Sequence, residues 1–277
     1  MLLEIKNLNV EFKQKNSKII ALKNISLKLN ENEILGVVGE SGSGKSTLCL
    51  SILRLLPPNA IITGEVYYQG KNLLNLTEKE MQRIRGKHIT MIFQNPVGSL
   101  FPLKRIGDQI LEVLNLHQPR NGKENKEILK QEAIHLLNQV LFLEPEKRFN
   151  DYPHQLSGGM AQKVAIAKAL ACKPKILLAD EPTSSLDATA EQEIIYLLKK
   201  IKKEQNISIL FISHNLSTVA QLCDRIIVMH NGEIVEENTT EKIFTQPQHP
   251  YTKMLIRSLP ILDQNLTKLI QNKNSGD

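Results

Sequence analysis

The chain has 277 residues, 41% of them hydrophobic, and a formal net charge of +6. That is enough chain for one large domain, or one domain with an appendage, and enough apolar content for a real core, which excludes a disordered polypeptide. No apolar run approaches the ~20 residues of a membrane-spanning helix, and with aromatic residues at 4% and the lysines dispersed, the positive charge reads as a solvated basic surface rather than a nucleic-acid stripe.

The start, Met1-Leu2-Leu3-Glu4-Ile5-Lys6, lacks the basic opening and continuous apolar stretch of a signal peptide. A soluble protein is expected, with any membrane association made through a partner. Leu3, Ile5, Leu8, Val10 and Phe12 are spaced like a half-buried strand, and Ile25, Leu27 and Leu29 alternate, so an antiparallel β layer opens the chain. Short apolar runs then recur at Ile34–Val38, Ile89–Phe93, Ile176–Ala179 and Ile207–Ile212, with helix-like stretches between them. Buried strands alternating with helices predict an α/β fold with a mainly parallel sheet. Between Asn95 and Ala171 the strand signal stops: a polar loop over Gln118–Asn125 leads into an amphipathic helix over Lys126–Val140, which together read as a helical insertion. Lys199-Lys200-Ile201-Lys202-Lys203 falls on the polar side of a later helix. His230-Asn231-Gly232 joins two strand-like runs, Ile226–Met229 and Glu233–Glu236, as a hairpin turn. After about Gln246 come one helix, Tyr251–Leu259, and a polar tail. No internal repeat is seen, so one copy of the α/β unit per chain is expected.

Gly39-Glu40-Ser41-Gly42-Ser43-Gly44-Lys45-Ser46-Thr47 matches the phosphate-loop pattern GxxxxGK[ST]. A Gly/Ser-rich turn alone would only cap a helix. Here an apolar strand enters and a helix over Ser46–Leu56 leaves, the context that the motif requires. Glycines let the backbone curl so that successive N–H groups meet phosphate oxygens at a helix N-terminus. Lys45 is expected on the β and γ phosphates and Ser46 on Mg²⁺, so the chain is read as binding and hydrolysing a nucleoside triphosphate. The strand Ile176–Ala179 delivers Asp180 and Glu181 at its carboxyl end, where α/β sheets bind ligands. Asp180 suits Mg²⁺, and Glu181 suits the attacking water. His214 and Gln94 end two further strands, the first as a γ-phosphate partner and the second as a contact to Mg²⁺ or water and a sensor between core and insertion. The three cysteines, Cys49, Cys172 and Cys223, are dispersed and read as reduced buried thiols; the seven histidines show no metal-ligand spacing.

Leu156-Ser157-Gly158-Gly159-Met160, with Gln162-Lys163-Val164 after it and upstream of the acidic strand, resembles the signature sequence of the ATP-binding cassette (ABC) proteins. By itself the pentad would also serve as a helix cap at Ser157. The resemblance covers nearly the whole chain: residues 39–47 are similar to Walker A, Gln94 to the Q-loop, residues 176–181 to Walker B with its glutamate, Ser185-Leu186-Asp187 to the D-loop and His214 to the H-loop, while Phe12 holds the position where the family stacks an aromatic ring on adenine. Met160 stands where Gln is commoner and Ser185 where Ala is usual. The resemblance implies ATP and Mg²⁺ as ligands, a second cassette (identical or different) whose ATP is met by Ser157, Gly158 and Gly159, two membrane permease subunits, and a solute-binding protein that feeds them. Nucleic acid is not expected as a partner. An ABC ATPase domain over 1–245, with a helical subdomain inserted at about 95–171, is followed by an extension over 246–277.

Tyr152-Pro153-His154-Gln155, Gln94-Asn95-Pro96 with Ser99-Leu100, and His249-Pro250-Tyr251-Thr252 are similar to the oligopeptide, dipeptide and nickel importer branch. Many peptide-transport members carry a cysteine-containing segment after the tail helix. No cysteine follows Pro260 here, so nickel or another metal chelate stands beside peptides as cargo. The chain is thus expected to energise an importer from the cytoplasmic side of the membrane. The alternative is a soluble ABC ATPase acting on ribosomes or DNA, which usually carries two cassettes or a long coiled-coil insertion. A simple P-loop kinase would have neither the LSGG segment nor the histidine after a strand.

Overall fold

The computed structural model describes residues 1–258, apart from 16, 97 and 118–122. Its contacts divide the chain into two units, Met1–Met81 with the chain from Ser208 onward, and Gln82–Ile207.

The first unit opens with strands β1 (Leu3–Lys13) and β2 (Lys18–Leu29), followed by β3 (Ile34–Val38), helix α1 (Lys45–Ile52), β4 (Ala60–Tyr68), β5 (Lys71–Asn72) and the first residues of α2 (Glu78–Ile84). As expected, β1 and β2 pair antiparallel; β4 and β5 complete a sheet of order β2-β1-β4-β5. The expected helix over Ser46–Leu56 stops at Ile52. Arg54 there takes a left-handed backbone (φ 54°) and donates to the carbonyls of Leu73 and Leu76, and Pro57-Pro58 cannot continue a helix.

The second unit holds β6 (Ile89–Ile92), helices α3 (Ile106–His117), α4 (Lys123–Gln139), α5 (Pro145–Arg148) and α6 (Gly158–Leu170), strand β7 (Ile176–Asp180) and α7 (Ala188–Gln205). Strands β6 and β7 pair in parallel from Ile89↔Ile176 to Ile92↔Ala179. Phe93, expected as the last residue of its strand, lies outside β6 and is exposed. Among the described residues 95–171 are helical or loop, as the loss of strand signal predicts. Leu129, Ala133, Leu136 and Leu137 form the buried stripe of α4. The expected polar loop is shorter than its reading, since 123–125 belong to α4; residues 118–122 of it lie outside the described ones. On α7, Ile201 is buried between Lys200 and the exposed Lys203.

The chain then returns to the first unit with β8 (Ser208–Ile212), α8 (Leu216–Leu222), β9 (Arg225–His230), β10 (Glu233–Thr239), α9 (Thr240–Thr245) and α10 (Pro250–Arg257). Every residue of β3 is buried, and it runs parallel to β8 on one side and β9 on the other. The predicted hairpin joins β9 to β10, with Asn231 and Gly232 both at positive φ (50° and 81°) as the tight right-twisted turn demands. The tail helix ends at Arg257; Leu259 and the polar tail are outside the described residues. None of the three cysteines forms a disulfide. Cys49 and Cys223 are buried as expected, but Cys172 is only half-buried, just past the end of α6, and its burial pushes the thiol up to about 11.

Helix α8 lies close over β3 because the strand carries Gly36 there. A Cβ at that position would fall 2.8 Å from both Cys223 Sγ and Val219 Cγ1. Gly36→Ala is therefore expected to lower stability by about 1–3 kcal/mol through overpacking. Chemical denaturation should show the loss, and adding Cys223→Ala should recover part of it.

Candidate functional site

The phosphate loop leaves β3 at Gly39 and enters α1 at Lys45. Gly39 lies so close to β9 that a Cβ would sit 2.2 Å from the Met229 carbonyl oxygen. Gly44 takes φ 100° as the N-cap of α1 and brings no side chain to bond the first-turn N–H groups, the arrangement that leaves a helix N-terminus open to phosphate. The Lys45 ammonium is buried inside the curl, donating to Gly39 O at 2.8 Å, Glu40 O at 2.7 Å and Ser43 Oγ at 3.3 Å. These bonds fold the loop around its own cation, while Glu40, Ser41, Gly42 and Ser46 stay exposed and Thr47 is half-buried.

The β9–β10 turn braces the loop from the other side. Gly232 N–H donates to Ser43 O at 3.2 Å, and Lys23 N–H donates to Gly232 O at 2.8 Å. The Glu40 N–H donates to the Tyr251 hydroxyl of α10 at 3.1 Å. The sequence reading used Tyr251 only to place the chain in a branch of the family. Its bond to the loop spans 211 residues, and no local pattern announces it.

His214 follows β8 on an exposed turn. Two neighbours not singled out in the sequence shape that turn. Ser213 Oγ accepts from Asn215 N–H at 2.9 Å, and Asn215 Oδ1 caps α8 by accepting from Ser217 N–H at 3.0 Å and Thr218 N–H at 3.4 Å. An Asn just before an apolar-periodic helix was the available signal. Phe12 stays on β1 as a half-buried residue opposite Ile19 and Ala60.

In the second unit, Asp180 ends β7 as a buried carboxylate and Glu181 follows it with φ 46°. A non-glycine residue in the left-handed region costs of order 1–3 kcal/mol and survives where its surroundings impose it. Two bonds from Ser184, N–H at 3.3 Å and Oγ at 3.1 Å, hold the Glu181 carbonyl. Gln94 and Glu181, 87 residues apart, come together: Gln94 Nε2 donates to Glu181 Oε2 at 2.9 Å.

Ser157 caps α6 by accepting from Met160 N–H at 3.3 Å, and Ser157 and Gly158 are exposed. The capping role and the signature resemblance thus fall on one residue. The turn after β7 packs against this helix start. Cβ atoms at Gly158 and Gly159 would lie 3.5 Å from Leu186 Cδ2 and 3.1 Å from Ala190 Cβ, and Asp187 caps α7 through Ala190 N–H at 2.9 Å.

The oxygen donors Ser46, Gln94 and Asp180 are a hydroxyl, an amide and a buried carboxylate, the donor chemistry that suits Mg²⁺. Gln94 engages its amide nitrogen on Glu181.

Comparison with known proteins identifies the family. Residues 22–184 match the family described as ABC transporter, and residues 235–276 match the one described as oligopeptide/dipeptide transporter, C-terminal region. The oligopeptide transport ATP-binding protein OppD of Bacillus subtilis is 46% identical over 95% of this chain and 73% of its own. The dipeptide transport ATP-binding protein DppD of Lactococcus lactis subsp. cremoris is 45% identical over 97% and 76%. Among solved structures, the post-hydrolysis dimer of the ATP-binding cassette MJ0796 bound to ADP and Pi superposes with a TM-score of 0.77 at 33% identity, covering 86% of this chain and 99% of that one. The match over 235–276 corrects one expectation: lacking a cysteine after Pro260 does not set this chain apart from the peptide-transporter C-terminal region.

Gly44→Ala would force a side chain into the left-handed region and place Cβ 2.7 Å from the Ala21 carbonyl oxygen. Affinity for a nucleoside triphosphate is expected to fall at least about tenfold, since the backbone strain alone is ~1–2 kcal/mol; titration with a fluorescent nucleotide on the folded variant measures it.

Proposed function

Because the chain belongs to the ABC transporter family, we propose that it powers the import of peptides and that its own residues divide the work of ATP turnover as follows. The chain is an ATP-binding and ATP-hydrolysing subunit that energises an ABC importer, rather than an ATPase working on ribosomes or DNA. Peptides, rather than nickel, are the cargo class favoured by the C-terminal match and by the names of the relatives.

The N–H groups of residues 39–47 and the Lys45 ammonium cradle the β and γ phosphates, and Phe12 stacks on adenine. Glu181 orients and deprotonates the attacking water; Gln94 holds that carboxylate in place and reports on the nucleotide. His214 hydrogen-bonds the γ-phosphoryl group. Mg²⁺, held by Ser46, Gln94 and Asp180, would neutralise charge developing on the phosphates. Ser157 and Gly158, exposed at the start of α6, and the half-buried Gly159 meet the ATP of a second cassette, so that hydrolysis needs a dimer. Residues 1–245 form the ATPase domain with its helical subdomain at about 95–171, and 246–277 the extension.

The observation that carries hydrolysis is the Gln94–Glu181 bond, a carboxylate in strained backbone aimed by an amide. Glu181→Gln is expected to bind ATP as tightly as the parent and to lose turnover by at least about a hundredfold, within the range of general-base contributions. Unimpaired hydrolysis by this variant would remove Glu181 from the reaction.

Among the described residues no helix is long and apolar enough to cross a membrane. The chain is proposed to sit on the cytoplasmic side against two permease subunits, with a solute-binding protein acting upstream of them. The loop after Gln94 is suited to that contact. Phe101 and Leu103 are 62% and 84% exposed, yet the loop is firmly braced: the buried Gln109 side chain accepts from Phe101 N–H and donates to Phe101 O and Lys104 O, each at 3.0 Å, and Lys168 Nζ donates to Gln109 Oε1 at 3.2 Å. Leu103→Asp should abolish co-purification with the permease subunits while the purified chain keeps its basal ATP hydrolysis.

A further inference from the structure

The C-terminal helix makes a contact that the assignments above leave unused. The Gly39–Glu40 peptide group is gripped at both ends: its carbonyl oxygen accepts from the Lys45 ammonium at 2.8 Å, and its N–H donates to the Tyr251 hydroxyl at 3.1 Å. Lys45 belongs to the loop, whereas Tyr251 belongs to a helix that begins eleven residues after β10 ends.

That helix is itself fixed by specific bonds. The Glu236 carboxylate accepts from Gln248 N–H and His249 N–H, each at 2.9 Å. Burial works against its charge, but these bonds prevail and hold the carboxyl below the usual carboxylate range. His249 Nδ1 accepts from Tyr251 N–H at 3.2 Å and so caps α10. The Tyr251 ring is buried and packs on His230 of β9 with centroids 3.9 Å apart. The tyrosine is therefore held by its ring and its backbone, and its hydroxyl reaches the loop.

We propose that Tyr251 is a positioning residue for the phosphate loop, and that docking of the C-terminal helix thereby sets the affinity of this chain for ATP. The reasoning is entropic. A phosphate loop binds through backbone N–H groups, so freedom left in its backbone must be removed when nucleotide arrives, and that cost lowers affinity. Pinning Glu40 N–H to a buried hydroxyl removes it in advance. The inference rests on the ATP-binding reading of the loop and adds to it a control point on α10. Anything that lifts α10 from Glu236 and His230 would loosen the loop and release nucleotide.

Tyr251→Phe keeps the ring and its stacking and deletes only the bond to the loop. On the full chain, the Kd and KM for ATP are expected to rise about three- to tenfold, in line with one lost hydrogen bond, with kcat at saturating ATP and the melting temperature close to the parent's. Glu236→Ala, which frees the start of α10, should raise Kd in the same direction, and the double variant should be no weaker than Glu236→Ala alone, because both act through one bond. A tyrosine that serves only packing would leave the Kd of Tyr251→Phe within error of the parent, or lower its melting temperature without moving Kd, and either result overturns the proposal. Lys45→Ala in the same titration separates the two readings: if it abolishes ATP binding while Tyr251→Phe does nothing, the loop is the site and the clamp alone is wrong.

Discussion

A phosphate loop must point its N–H groups outward, and this leaves its carbonyl groups turned inward with nothing from a regular helix or sheet to bond them. Buried backbone oxygens left in that state would be costly. The chain answers with the Lys45 ammonium, placed among the carbonyls of Gly39 and Glu40 and the Ser43 hydroxyl. Much else in the first unit follows from keeping that curl in shape: a glycine where β9 comes too near for a side chain, a left-handed glycine at the helix start, and the β9–β10 turn bonded to Ser43.

The parts legible in the sequence were those with local causes. Strands β3, β7 and β8 are buried throughout, so they appear as short unbroken apolar runs. The glycine-rich loop between β3 and α1, the acidic pair at the end of β7 and the Asn-Gly turn each need particular residue types at fixed spacing, and each lies between the elements expected around it. Less legible were β4 and β5, in which exposed and buried positions do not alternate cleanly, and α3, which carries Gly107 in its first turn. The helix after the loop was overestimated because its apolar pattern runs on past Ile52, and only the backbone at Arg54 reveals the break.

Relations between distant segments were out of reach for the same reason. Gln94 and Glu181 each stood out as residues at strand ends, but that they bond to one another depends on the parallel pairing of β6 with β7. Gln109 and Asn215 gave weaker signals still. A glutamine inside an amphipathic helix looks like surface, yet this one is buried and ties down a loop whose own apolar residues face solvent. The strained Glu181 is the converse case, an identity easily read whose unusual backbone was not.

The order in which the chain is made gives the brace on the loop another meaning. Strand β3 is flanked by β8 and β9, and the loop is fastened by Gly232 and Tyr251, all synthesised long after Gly39. A nascent chain that has exposed only its first two hundred residues carries every phosphate-loop residue without the strands and the hydroxyl that shape them. It would therefore emerge from the ribosome with a loop not yet held in its binding shape, and the affinity contributed by the Tyr251 bond would come only as α10 docks. Full affinity would thus follow the docking of α10 rather than the synthesis of the loop itself.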